Sequence, residues 1–181
     1  MIFRLKHFLD SYKSKRFLLV GLGIILFINI VVFPLFPRLF GVVISPNAIL
    51  DLKFGYSQLD VQHLFDNLHK KGRHIYLLST LFIDIPYLIF YSFYYAVLLN
   101  LLLDKKRLNS FRFLIVIPFC IGFFDLLENI GIISLLQNYP NLNNTLVSFS
   151  ALATMLKWSF AIVTILSAII LFFTNERKAR N

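Results

Sequence analysis

The 181-residue chain contains one cysteine, Cys120, so no internal disulfide can form and the thiol content says nothing about redox compartment. Acidic residues are scarce, nine against 18 Lys and Arg, which gives a net charge of +9. The chain has no H-E-x-x-H pair, serine nucleophile elbow, P-loop or dinucleotide fingerprint, so none of the chemistries those motifs carry has a foothold. It also lacks internal repeats, linkers and low-complexity tracts, and residues 1–181 are read as a single integral membrane domain. The absence of inverted repeats argues against a self-contained secondary transporter.

Apolar sequence is what the chain has in abundance. Hydrophobic residues make up 58% of it, 21 of them Phe, and the mean hydropathy is +0.74. Four runs, about 17–37, 75–103, 113–136 and 149–173, are long enough to cross a hydrocarbon core of roughly 30 Å. They are too long for barrel strands, so the expected fold class is all-α, a polytopic membrane four-helix bundle. The first run is too long for a signal-peptide core, and Pro34-Leu35-Phe36-Pro37-Arg38 does not resemble a small-residue cleavage site. It is expected to be retained.

The basic excess follows topology. Arg4, Lys6, Lys13, Lys15 and Arg16 precede the first run, Lys105, Lys106, Arg107 and Arg112 join the second to the third, and Arg177, Lys178 and Arg180 follow the fourth. These all fall on one side of a four-span bundle, and the positive-inside rule places that side and both termini in the cytoplasm of a cell membrane. Nucleic acid is therefore not expected as a partner. The first outer loop, about 38–74, is long, and its centre predicts a short amphipathic helix over 57–71. Ser57 is its N-cap with Asp60 three residues on, Val61, Leu64, Phe65 and Leu68 form its apolar face, and Gly72 its stop. Tyr139-Pro140 ends the third span in a short polar turn.

Four charged residues interrupt the apolar runs: Asp84, Asp125, Glu128 and Lys157. A charge at mid-bilayer costs about 2.5–3.5 kcal/mol on insertion scales, so such residues need partners and often mark sites. At 1.5 Å per residue, Asn29, Asp84, Glu128, Asn129 and Lys157 all lie roughly 10–14 Å below the outer surface. Asp125 is one turn deeper. Asp125, Glu128 and Asn129 share one face of the third span, Ser150, Thr154 and Lys157 a stripe on the fourth, and Thr80, Asp84, Tyr87, Tyr91 and Tyr94 a stripe on the second. The 16 Leu, Ile, Val and Phe residues of the third span are worth roughly −5 to −10 kcal/mol of insertion, against roughly +5 to +7 for its two carboxylates. That span needs a partner, and Lys157 is the obvious one. Three acids against one lysine leave a formal charge of −2 in low dielectric, so at least one acid is expected to carry a proton at neutral pH.

The candidate catalytic residues are therefore Asp84, Asp125, Glu128 and Lys157. Asn29, Thr80, Tyr87, Tyr91, Asn129, Thr154 and Trp158 are candidate binding residues, with Arg73 and His74 a basic pair able to grip a lipid phosphate. Pro86 and Pro118 are expected to disturb their helices near the site. No metal or other cofactor is expected.

Several strings carry a resemblance: Phe54-Gly55-Tyr56-Ser57, Gly72-Arg73-His74-Ile75-Tyr76, Asp84-Ile85-Pro86-Tyr87, Asp125-Leu126-Leu127-Glu128-Asn129, Tyr139-Pro140 and Thr154-Met155-Leu156-Lys157-Trp158. Over about residues 54–158 the chain resembles a group of small, mostly bacterial four-span membrane proteins without assigned activity. The D-x-x-E-N and T-x-x-K-W pieces are the most specific. That resemblance implies a four-helix membrane architecture and no mechanism. In organisation alone, the layout is similar to the emopamil-binding-type sterol isomerases, whose spans surround an acidic intramembrane cavity.

The function expected from these residues is binding or modification of a lipid-like molecule by carboxylate acid–base chemistry, in a polar cavity of the outer half-bilayer. Membrane lipids are the expected partners, and a homo-oligomer is left open. The alternatives are an accessory subunit whose buried ion pairs only lock the bundle, and a small proton-coupled transporter.

Overall fold

The computed structural model describes residues 2–44 and 49–173. The basic residues Arg177, Lys178 and Arg180 lie outside the described residues. Among those described, a short helix α1 (Ile2–Asp10) is followed by four long helices, α2 (Lys15–Leu39), α3 (Gln58–Lys105), α4 (Asn109–Asn138) and α5 (Asn144–Phe173). All four long helices are sufficiently long and apolar to cross a membrane. This is the expected four-helix architecture. Each expected run lies inside the observed helix, which extends beyond it at one or both ends because the flanking polar residues continue the backbone hydrogen bonding. α4 packs along α5 and α3, while α2 docks mainly on α3 and buries little of itself.

The helix expected over 57–71 forms the first arm of α3. Ser57 accepts the Asp60 backbone N–H, and the Asp60 carboxylate accepts the Ser57 backbone N–H at 2.8 Å, closing a capping box. The arm stops at His69, whose φ of 51° and ψ of −176° break the helix, and not at Gly72. Gly72 lies in the first turn of the spanning segment. A Cβ there would sit 3.0 Å from the Leu68 Cβ, so the glycine admits the folded-back arm. Val61, Leu64, Phe65 and Leu68 are all buried, against Val42, Ile75, Leu135 and Val147. The arm thus caps one end of the bundle. A buried side chain of this size contributes about 1.5–3 kcal/mol, enough to hold a helix of about three turns in place.

The opposite end is closed by α1. Leu9 is fully buried among Val97, Leu103, Ile115 and Leu171. Asp10 accepts hydrogen bonds from Lys6 (2.8 Å) and Asn100 (3.1 Å) and pairs with Lys13, while Asp104 pairs with Lys13 and Arg112. The N-terminal basic residues and the α3–α4 connection therefore meet at one end of the bundle, as the charge pattern requires.

Prolines shape the helices between these ends. Pro34 and Pro86 have no N–H to offer the carbonyl four residues back, and each is preceded by a π-turn, Ile28–Val32 in α2 and Thr80–Asp84 in α3. Pro118 opens the α-helical part of α4 after a 3-10 stretch, Asn109–Val116. The expected disturbance at Pro86 and Pro118 is thus taken up just before each ring.

Candidate functional site

Lys157 organises the centre of the bundle. Its Nζ lies 2.6 Å from Glu128 Oε2 and 3.3 Å from Asp125 Oδ1, and it pairs with the Asp51 carboxylate. Glu128 is wholly inaccessible and Asp125 and Lys157 nearly so. Asp51 comes from the 3-10 turn Leu50–Leu52 of the loop between α2 and α3. Its main-chain carbonyl accepts the Trp158 indole N–H at 3.0 Å, and Leu50 beside it is fully buried. The loop therefore enters the bundle, and the charge balance differs from the expectation: Asp51 joins Asp125 and Glu128 on Lys157, and with Asp84 the buried layer holds four acids, not three, to one lysine. Oxygens of Asp51, Asp125 and Glu128 lie within 4.8 Å of one another, a spacing compatible with a metal ion. The Lys157 ammonium already sits among them and supplies the positive charge such a cluster demands.

Asp84 stands apart from this network. The Asn129 amide donates to its Oδ2 at 2.6 Å, and it has no cation partner among the described residues. Asp125 is held on its other oxygen by the Tyr91 hydroxyl, 2.6 Å away. Asn29, in the π-turn of α2, donates to the Ile25 carbonyl at 2.8 Å and to the Tyr87 hydroxyl. Thr80 and Asp84 bound the π-turn of α3. Both irregular turns thus deliver polar side chains to one level, a common location for π-bulges in functional sites.

These groups line a cavity of about 510 Å³ between α2, α3, α4, α5 and the outer loop. Asn29, Thr80, Asp84, Tyr87, Tyr91, Asp125, Asn129, Lys157 and Trp158 all contribute to its wall. The rest is apolar, including Phe33, Ile44, Ile121, Ile132 and Ile165. Two buried hydroxyls on the wall, those of Tyr76 and Thr164, have no hydrogen-bond partner among the described residues. A buried hydroxyl without a partner costs on the order of 1–3 kcal/mol, so each is a place where a ligand's polar group would be welcome.

Four of the candidates sit elsewhere. Glu128 lies behind Lys157, off the cavity wall. Thr154 donates back to the Ser150 carbonyl at 3.0 Å, as a threonine within a helix commonly does. The Arg73 guanidinium donates to the Phe65 carbonyl at 2.7 Å and stacks 4.2 Å over the Tyr139 ring, so it joins the cap to the α4–α5 turn. His74 is exposed outside the cavity. Conversely, the sequence reading missed Asp51, Tyr56, Tyr76 and Thr164. Burial pushes the Tyr56 hydroxyl up, so it stays protonated and donates to Ser150 Oγ at 2.6 Å. Asp51 left one signal: it is the acid inside Ile49-Leu50-Asp51-Leu52, flanked on both sides by apolar residues.

Fold and site together define a four-helix membrane bundle with buried acidic residues around an internal lysine. Comparison with protein-family models, with curated proteins and with solved structures yields no match for this chain.

Proposed function

We propose that this protein binds a lipid-like amphiphile in the central cavity and exchanges a proton with it through a carboxyl group. The observation that carries the reading is the two-toned wall: acids, amides and hydroxyls on one side, Phe33, Ile121 and Ile165 on the other, with two hydroxyls unpartnered. An amphiphile satisfies both surfaces at once, whereas a purely polar solute would leave the apolar wall exposed to water.

The geometry divides the labour between the carboxylates. Asp125 is fixed between Lys157 and Tyr91, and Glu128 is closed off behind Lys157. Asp84 faces the cavity with only an amide on one oxygen, so it is the group best placed to give or take a proton. Lys157 holds the remaining acids in place, and Asn129 orients Asp84. The basic end of the bundle faces the cytoplasm in this reading, with both termini there.

Native mass spectrometry of the purified protein tests the proposal. A discrete lipid should accompany the wild type and be lost from Ala161→Trp, which fills the cavity from α5. Absence of any retained lipid, or equal retention in the variant, would count against it. A purely architectural role is favoured by one observation, the three carboxylates gathered on Lys157. That reading requires Asp84→Asn to leave lipid content unchanged.

A further inference from the structure

We propose that the ligand is a single-chain amphiphile with an anionic head, carboxylate or phosphate, and that Arg38 and Lys71 hold this head at the mouth of the cavity. The inference rests on the reading of the cavity as a lipid site and adds the ligand's charge and direction.

The charges of the outer face are unequally matched. Its three acids are all engaged: Asp51 by Lys157, Asp60 by Lys53 and Ser57, Asp66 by the Tyr139 hydroxyl. Two of its cations are also engaged, Lys53 by Asp60 and Arg73 by the Phe65 carbonyl and the Tyr139 ring. Arg38, Lys70 and Lys71 have no carboxylate partner among the described residues, and all three are exposed. Among the described residues, Arg38 is the one cation besides Lys157 that lines the cavity. Lys71 reaches across the turn that follows α2, where a Cβ built on Gly41 would lie 3.8 Å from its Nζ, and the Gly41 N–H bonds the Arg38 carbonyl at 2.9 Å. One uncompensated cation, Arg38, therefore stands on the cavity wall, and a second, Lys71, lies beside the turn that follows it.

Between this mouth and the polar floor the wall is apolar, formed by Phe33, Pro34, Ile44 and Leu52. Arg38 is nine residues beyond Asn29 on α2, so at 1.5 Å per residue the mouth stands about 13 Å above the Asn29–Asp84 layer. A head at the membrane surface with a chain descending beside α2 is the orientation of an outer-leaflet lipid. It brings the chain to Asp84, so the group that exchanges a proton there is a polar or unsaturated one carried along the chain. Guanidinium and ammonium groups bind carboxylate and phosphate through charge-assisted hydrogen bonds, about twice as strong as neutral ones. A cationic head would meet like charge at the mouth.

The test is binding of hexadecanoate, hexadecyl phosphate, hexadecanol and hexadecyltrimethylammonium to the protein in dodecyl maltoside, read by native mass spectrometry and thermal shift. Both anions should bind and stabilise, with the alcohol weaker and the quaternary cation weakest. The tighter of the two anions identifies the head. Arg38→Gln and Lys71→Gln should each weaken the anions about tenfold and leave the alcohol unchanged, and Lys70→Gln should change nothing. All three positions are exposed, so the fold should survive each change.

Equal binding of alcohol and anions, or anion binding indifferent to both Arg38→Gln and Lys71→Gln, overturns the proposal. Ala161→Trp, with Ile165→Trp as a second plug, separates the two readings. If either plug abolishes alcohol binding while the mouth variants have no effect, the cavity stands and the anionic head falls. If both plugs fold and neither affects any probe, the cavity reading falls with it.

Discussion

Asp51 and Lys157, 106 positions apart in the chain, form an ion pair that ties the outer loop to α5. The same ammonium serves Asp125 and Glu128, so one lysine joins three segments that share no other ionic contact among the described residues.

Lys157→Met should therefore be costly. Removing one partner from a buried ionic cluster typically destabilises by about 3–5 kcal/mol, because uncompensated carboxylates are left behind. Melting in detergent measures the loss. Adding Glu128→Gln to Lys157→Met should recover part of it, since the two positions share one network. Strictly additive losses would contradict the network.

Asp51→Asn should act locally. The bundle keeps Lys157 paired to Asp125 and Glu128, so its melting temperature should fall less than in Lys157→Met. The turn Leu50–Leu52 loses its side-chain ion pair and keeps the Trp158 and Lys157 bonds to the residue-51 carbonyl and the burial of Leu50. Hydrogen exchange should accelerate over residues 49–57 and not in α4. Unchanged exchange there would show that Leu50 alone seats the loop.

Gly131→Ala tests a close approach of α4 and α5. A Cβ at Gly131 would lie 2.5 Å from Ser150 Oγ, the atom that accepts the Tyr56 hydroxyl and donates to the Glu128 carbonyl at 3.2 Å. Overpacking of this kind costs about 1–3 kcal/mol, and small residues are what permit such helix contacts in membranes. Ser150→Gly in the same chain should relieve the clash. A melting temperature unchanged by Gly131→Ala would mean that the helices part without cost.

Acid should loosen α1. Burial works against the charged form of Asp10, yet the hydrogen bonds from Lys13, Lys6 and Asn100 outweigh it and hold the carboxyl well below the usual carboxylate range. A depressed folded-state pKa adds stability above the unfolded value of about 3.9 and loses it as pH falls towards the folded value. The stability gap between wild type and Asp10→Asn should thus be complete near neutral pH and narrow below about pH 4. A gap that widens in acid would refute the assignment.

Depth and periodicity made most of this site legible. Four apolar runs gave the spans, and counting inward from their ends brought Asn29, Asp84, Asn129 and Lys157 to the level they share in the cavity wall. Periodicity has no purchase on loops, and that is why Asp51 escaped notice: its role depends on a tertiary contact made from an irregular turn. It also assigns a helix face without revealing competing partners. Thr154 shares the Lys157 stripe but spends its hydroxyl on its own helix, and Arg73 turns to the cap because Tyr139 and the Phe65 carbonyl are nearer than the cavity. The π-turns were foreshadowed only by Pro34 and Pro86.

Those two turns give α2 and α3 one residue more than an α-helical count at a shared level. Deleting that residue from either helix would rotate the segment on one side by about 100° against the other. The side chains beyond it would then point to lipid in place of the cavity. Length, more than composition, is thus the vulnerable property of these two stretches: they should tolerate many substitutions among their apolar residues and almost no insertion or deletion.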